Sequence, residues 1–478
     1  MPSHDPSAAP ELRIPSDARG VLRLALPVVL SMLAHNLMGI TDTFYMGWVG
    51  NAAQAALGLG AVLSWTLLSL FIGTLSVINT YVAQLYGARD YARCGGYLWL
   101  GLLLAAGFSL LALAVTPAVD GLLRLLGTDP SVTPIAGAYI RIRLFGAPAT
   151  LAEICFVSFL RGIGDTRTPM LVAVGAVLLN VVLDYWLVFG GLGIPPLGAN
   201  GAAYATVVAI TLQATVLGAL TLRSQLRRTY GLGWPRALDR RALLELLKVG
   251  FPIGAGWLQD SLIWTIFTGF VSRSGDAVLA AHNVVVQVVL FSYLPGMALS
   301  VAATTLVGQH LGARAPALAR RTGVLVLRIA TAYMGTMGLI FLCFGSLIAR
   351  AFNRDPLVVS TAHDLFLFAA GFQLFDAIGV TSSGILRGAG NTRYPMLVST
   401  LSAWAVFFPL LLLLRLRFGW GVYGCWLAAL LYIFALGVAL YLKVRRLRWD
   451  EVTLLTPTPA APPAPRATEE APPAPPAP

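Results

Sequence analysis

Five carboxylates stand where a charged side chain should not. Asp42, Glu153, Asp184, Asp260 and Asp376 all fall well inside long apolar stretches, while Asp364, Asp120 and Asp355 lie nearer the ends of theirs. An ionisable group at the centre of a membrane helix costs at least about 2.5–3.5 kcal/mol, and such groups mark ion or substrate paths. Asn180 precedes Asp184 by four residues, so the two share one helix face. Asp42 shares its stretch with Pro27, which removes a backbone donor and allows a bend. Two Asp side chains joined by the Asn180 amide and the Thr206 hydroxyl can hold a proton or a small hard cation such as sodium. Asp260 and Asp376 pose the same problem further along. The cation-coupling candidates are therefore Asp42, Asn180, Asp184, Thr206, Asp260 and Asp376. With sodium as the coupling ion, Asp42, Asn180, Asp184 and Thr206 would be its ligands; no other cofactor is expected. Pro27, Tyr139, Glu153, Gln259 and Phe375 are the candidates for substrate binding or gating. Arg141 and Arg143 lie on the same helix as Glu153 and are placed to neutralise it, and Arg328 is a possible partner for Asp260 or Asp376. Trp257, Trp264, Phe267, Phe291, Tyr293 and Phe372 join Phe375 as aromatic side chains able to line an apolar cation cavity.

Other strings carry less chemistry. Gly162-Ile163-Gly164-Asp165 has the G-x-G-D form of an intramembrane aspartyl protease, but Asp165 sits in a basic loop and its repeat copy is Asn391, which cannot act as an acid. Cys94, Cys155, Cys343 and Cys425 are too scattered for a metal or redox motif and read as small apolar residues. His35, His282 and His310 lack metal-ligand spacing.

The elements that must position these groups follow from composition. The 478 residues are 57% hydrophobic and only 11% charged, with a mean hydropathy of +0.76. Soluble domains carry about 25% charged residues, so a soluble enzyme, a secreted disulfide scaffold and a disordered chain are excluded. Twelve apolar segments can each span a bilayer, at roughly 21–46, 53–83, 95–123, 132–160, 169–190, 199–222, 245–272, 278–309, 321–349, 358–386, 395–417 and 421–442. They must be helices, because open strands leave backbone groups unpaired in lipid. The net charge of +12 comes in short arginine clusters between these segments. That arrangement fits the positive-inside rule and not a nucleic-acid surface, and supports both termini being cytoplasmic in a multi-pass protein expected in the cell inner (plasma) membrane.

The chain also repeats itself. Leu26-Pro27 recurs 225 residues later as Phe251-Pro252, and Gln84-Leu85-Tyr86-Gly87-Ala88-Arg89 recurs at that offset as Gln309-His310-Leu311-Gly312-Ala313-Arg314. Leu160-Arg161-Gly162-Ile163-Gly164-Asp165-Thr166-Arg167 recurs at offset 226 as Leu386-Arg387-Gly388-Ala389-Gly390-Asn391-Thr392-Arg393. The expected fold is an all-α integral membrane protein with twelve transmembrane helices in two parallel pseudo-symmetric six-helix bundles. The expected divisions are a cytoplasmic segment over 1–19, a first bundle over 20–223, a cytoplasmic linker over 224–243, a second bundle over 244–448 and a disordered Pro/Ala-rich tail over 449–478.

These motifs, taken together, resemble the multidrug and toxic compound extrusion (MATE) transporters, and within them the NorM type. The resemblance covers roughly residues 20–445. It rests on Pro27 with Asp42, on Gln84-x-x-Gly87-Ala88, on the paired Leu-Arg-Gly-x-Gly-Asp/Asn-Thr-Arg loops, and on Asn180-x-x-x-Asp184 followed by Gly201-Ala202-Ala203-x-Ala205-Thr206. It implies a multidrug efflux antiporter, not an enzyme, that exports organic cations against protons or sodium through alternating access between the bundles, as a monomer in the lipid bilayer. By the same resemblance Asp42, Asn180, Asp184 and Thr206 match the cation site of the first bundle, and Asp260 and Asp376 match acidic positions of the second. A lipid-linked oligosaccharide flippase of the same wider superfamily is the alternative; it would need a cavity ringed by basic residues, for which Arg141, Arg143 and Arg328 are available.

Overall fold

The computed structural model describes residues 14–191, 193–233 and 239–451. Residues 1–13 of the expected leading segment, part of the linker and nearly all of the expected tail lie outside them. The described residues are almost wholly helical, with one isolated bridge between Gly191 and Ile194.

The first bundle holds α1 (Ala18–Val49), α2 (Asn51–Gly87), α3 (Tyr91–Leu125), α4 (Thr133–Phe145, continued after a 48° bend by Ala147–Gly162), α5 (Arg167–Phe189) and α6 (Ala199–Thr221). The second holds α7 (Arg240–Ser272), α8 (Asp276–Gly312), α9 (Pro316–Phe352), α10 (Pro356–Gly388), α11 (Arg393–Arg417) and α12 (Gly421–Arg445). Eleven of the twelve are long and apolar enough to cross a membrane, counting the bent α4 as one. The exception, α7, is 33 residues long but carries Gln259, Asp260 and Ser261 in succession.

Local chemistry sets the helix ends. The Asp17 carboxylate accepts from the Gly20 amide at 3.1 Å, Asp239 accepts from Arg241 and Ala242, and Asp355 from Leu357, each anion standing at the positive end of a helix. Prolines break the first bundle's helices where the second bundle's run on. α3 tightens to a 3₁₀ turn at Thr116–Ala118 around Pro117, and α4 bends ahead of Pro148. Their counterparts α9 and α10 continue for 37 and 33 residues. In α11, Pro409 lies between two π-helical stretches, whose wider turns accommodate a residue with no N–H to donate.

Within the bundles, α5 packs on α1 and α6, α4 on α2, α3 and α6, and α10 on α8, α9 and α12. The bundles meet through α1 on α8, α2 on α7 and α2 on α8. Lipid tails give apolar helices no reason to prefer each other, so close backbone approach at small residues decides such contacts. A Cβ on Gly73 would come within 2.6 Å of the Gly254 Cα. Further along the same seam Trp65 stacks on Trp257, and the Thr66 and Ser261 hydroxyls lie 2.7 Å apart. The outer stripe of α5 (Leu171, Leu178, Val182) is exposed at helical spacing, as a lipid-facing surface should be.

Candidate functional site

The first bundle gathers four of the sequence candidates at one place. Asp42 on α1 and Asp184 on α5 face each other, with Asn180 one turn before Asp184. All three are buried, as is Thr206 on α6, whose hydroxyl donates to Asp42 Oδ2 at 3.3 Å. That bond is the pair's principal donor contact. Asp42 Oδ1, both Asp184 carboxylate oxygens, and Asn180 Oδ1 and Nδ2 are buried without a well-aligned hydrogen bond, although Asp184 lies within hydrogen-bonding reach of both Asp42 and the Asn180 amide. Buried polar atoms are normally paired, and orphans mark a strained or ligand-binding place. The cluster supplies two carboxylates, an amide oxygen and a hydroxyl, a donor set suited to a proton or a hard cation. Among the described residues no group of three or more His, Cys, Asp or Glu side chains gathers.

Tyr139 is 2% exposed and seats its ring against Gly60, where a Cβ would come within 2.6 Å of the ring. It stands within electrostatic reach of both acids, and so does Arg143 of Asp42. Arg143, expected beside Glu153 on the same helix, lies near Asp42 instead. The spacing that could have found its true neighbour is the four-residue step from Tyr139 to Arg143 along one face of α4.

Glu153 has different partners from those expected. Its Oε1 accepts from Gln213 Nε2 of α6 at 3.0 Å, and its electrostatic neighbours are His35 and Arg161. Arg141 is instead paired with Asp120 of α3. His35 Nδ1 lies 3.0 Å from the Ser31 carbonyl. A carbonyl only accepts, so Nδ1 is the donor. Pro27 is buried within a continuous α1, and its carbonyl accepts from the Ser31 hydroxyl at 3.0 Å.

In the second bundle Asp260 of α7 and Asp376 of α10 are neighbours, with Tyr293 of α8 beside both. Asp260 is accessible although protein surrounds it, as expected of a side chain lining a cleft. Gln259 turns the other way. Its Nε2 donates to Ser399 at 2.9 Å and its Oε1 accepts from Thr400 at 2.6 Å, tying α7 to α11. Phe375 packs edge-on against Phe434 of α12. Of the other aromatic candidates, Phe267 and Phe372 belong to the packed core around Trp426, and Trp257 belongs to the seam between bundles. Arg328, the arginine considered as a partner for either acid, is exposed on α9, and no ion pair joins it to them among the described residues. The three arginines have separate surroundings: Arg141 is held by Asp120, Arg143 lies near Asp42 and Arg328 is exposed on α9.

Asp165 is a helix cap. Its Oδ1 accepts from the Arg167 and Thr168 amides at 3.1 and 3.0 Å, and Asn391 accepts from the Tyr394 amide in the repeat copy. Cys94, Cys155 and Cys425 are buried free thiols, as expected, while Cys343 is exposed on α9.

Comparison with known proteins agrees with this architecture. The family model described as MatE matches twice, over residues 27–186 and 252–413, one match for each bundle. A probable multidrug resistance protein NorM from Burkholderia mallei is 32% identical over 427 residues, covering 88% of this chain and 91% of its own length. Another, from Thermotoga maritima, is 28% identical and covers 94% and 96% respectively. Among solved structures, a crystal structure of MATE in the bent conformation superposes with a TM-score of 0.82 at 20% identity, covering 90% of this chain and 94% of that one. An outward-facing multidrug resistance MATE family transporter of the MOP superfamily superposes with a TM-score of 0.81 at 19% identity, over 89% and 95%. Two matched bundles and near full-length relatives lead to one conclusion: this chain belongs to the MatE family of membrane transporters.

Proposed function

We propose that the chain is a secondary multidrug efflux transporter. It exports organic cations from the cell across the inner membrane in exchange for protons or sodium, alternating access between its two bundles. The observation that carries this reading is the Asp42–Asp184 pair, two carboxyl groups buried face to face, three of whose four oxygens receive no well-aligned donor from the protein. Such a pair is costly when empty and is relieved by a proton or cation. Its relatives named multidrug resistance proteins support the drug class.

In this reading Asp260 and Asp376 line the cleft and receive the organic cation, while Asp42, Asn180, Asp184 and Thr206 hold the coupling ion. Pro27 lies one turn before Ser31 on the same helix as Asp42, so filling the site changes the helix that also contacts α8 of the other bundle. Exchange of one coupling ion for one organic cation moves no net charge, so the ion's concentration gradient drives it. A roughly tenfold gradient supplies about 1.4 kcal/mol and sustains a roughly tenfold ratio of the exported cation, while each further coupling ion entering across 100 mV adds about 2.3 kcal/mol. Reciprocity requires that the ion weaken drug binding as much as the drug weakens ion binding. Orientation in the membrane follows the arginine clusters, whose loops share the end of the molecule where His310 meets Pro15 and Gly95 meets Tyr230.

The deciding experiment is uptake of a fluorescent organic cation into inverted vesicles under an imposed proton gradient or an imposed sodium gradient. Uptake driven by one of the two identifies the coupling ion, and its loss in Asp42→Asn and Asp184→Asn supports the site. Wild-type rates in both variants would remove the assignment. Movement of a lipid-linked oligosaccharide instead of the cation would replace the reading with the flippase one.

A further inference from the structure

The most extensive sequence repeat in the chain, the Gln-x-x-Gly-Ala-Arg turn and the Leu-Arg-Gly helix end, is used by neither acidic site. The structure joins the two motifs across the bundle boundary. Gln84, near the end of α2, donates from Nε2 to the carbonyl of Gly388, the last residue of α10, at 2.9 Å. Gln309, its equivalent on α8, donates from Nε2 to the carbonyl of Gly162, the last residue of α4, at 2.9 Å. Both glutamines are buried, at 0% and 2% exposure. Each therefore caps the other bundle's helix at a carbonyl that has no donor within its own helix.

The surrounding backbone is shaped to this crossing. A Cβ on Gly87 would overlap the Gln309 carbonyl, and one on Gly312 would overlap the Gln84 carbonyl, so only glycine fits at both. Thr305 adds a bond to Asn79 Oδ1 at 3.1 Å between the bundles. Two residues on, Arg89 and Arg314 hold φ of 60° and 54°, the two non-glycine positive-φ residues among those described. A left-handed turn at a side-chain-bearing residue is costly, and it recurs here at both copies.

We infer that Gln84 and Gln309 are paired gating residues that latch the arginine-rich end of the cleft shut, each by capping the helix end of the opposite bundle. Hydrogen bonds suit a latch better than apolar packing does. When the ends part, water can take over both carbonyls and both amides, so the closed state is favoured only modestly and can be released. The pseudo-two-fold makes the two bonds equivalent, so they open together. This rests on the alternating-access reading above and assigns that cycle its gate at one end.

The test uses the full-length protein in lipid nanodiscs, with Cys343 replaced by alanine and the other three cysteines left buried. One pair of spin labels goes at the exposed Arg167 and Arg393, at the arginine-rich end; a second pair goes at the exposed Arg124 and Arg354, at the opposite end. Gln84→Met and Gln309→Met keep the side-chain length and remove the bonds. Either change should raise the population with separated arginine-rich ends about fivefold, and both together about twenty-five-fold, the factor one net buried hydrogen bond carries. Distances at the opposite end should shorten in step. Gly312→Ala, which wedges the crossing apart, should act in the same direction. Unchanged distributions, or a widening at both ends alike, would overturn the latch. A wild-type protein with one fixed distance at every pH and sodium concentration would refute alternating access. The latch would still be decided by whether the methionine variants part the arginine-rich end.

Discussion

The Asp184→Asn variant should be more stable than the wild type and unable to couple. Asp184 is fully buried, neither of its oxygens receives a well-aligned donor, and one oxygen of Asp42 opposite is in the same position. The nearest donor, Thr206, serves only the other Asp42 oxygen, at 3.3 Å. Asparagine has nearly the same shape and brings two N–H donors to the place where a carboxylate faced a carboxylate. One charge-assisted bond to Asp42 is worth about 1.5–3 kcal/mol, and loss of the like-charge contact adds to it. A transporter that stores this cost to capture an ion becomes calmer when the cost is removed. The assay is thermal unfolding of the purified protein in sodium-free, mildly alkaline buffer, where protons and sodium are scarcest, set beside gradient-driven uptake in vesicles. The midpoint should rise by several degrees while driven uptake falls at least about tenfold, the scale of a 1.4 kcal/mol loss. A midpoint at or below that of the wild type would show that the empty pair carries no stored cost, and the argument from orphaned oxygens would fail.

Gly254→Val should push a side chain into the Leu70 carbonyl across the seam between bundles and destabilise the fold by about 1–3 kcal/mol, read as a lower unfolding midpoint. Asp165→Ala should cost about 1 kcal/mol through loss of the cap on α5 and leave efflux per molecule unchanged; a large loss of activity would reopen a catalytic role for that acid. Glu153→Gln keeps an oxygen to accept from Gln213 but removes the charge beside His35. It should fold normally and raise KM for a cationic substrate several-fold with little change in stability, and an unchanged KM would remove Glu153 from the substrate path.

Much of the site was legible in advance. Asn180 and Asp184 could be placed on one face by their spacing, and an acid inside an apolar stretch announces itself by its cost. The repeat offset located Gln84 and Gln309 as equivalents, without revealing that each reaches into the other bundle. Glu153 was matched to the arginines on its own helix, whereas its bonded neighbour is Gln213 on α6, sixty residues away. Gln259 and Asp260, adjacent in sequence, turn to different surroundings. The expected segment limits fell within a few residues of the observed helices, and the helices run longer, as α9 does from Pro316.

What the sequence determined by itself is everything that depends on a residue's own stretch of chain: which segments must be helical in lipid, how many there are, which end carries the arginines, and which polar groups are too costly to be accidental. Each follows from a local free energy, the transfer of a side chain or an unpaired peptide group into hydrocarbon. Only the tertiary structure decided who meets whom. That includes Arg143 near Asp42, Arg141 on Asp120, and the glutamines crossing between bundles. Helices in lipid are not sorted by hydrophobicity, because the solvent is as apolar as they are. They are sorted by where small residues let backbones touch and where buried polar groups find partners, and those are properties of positions in space.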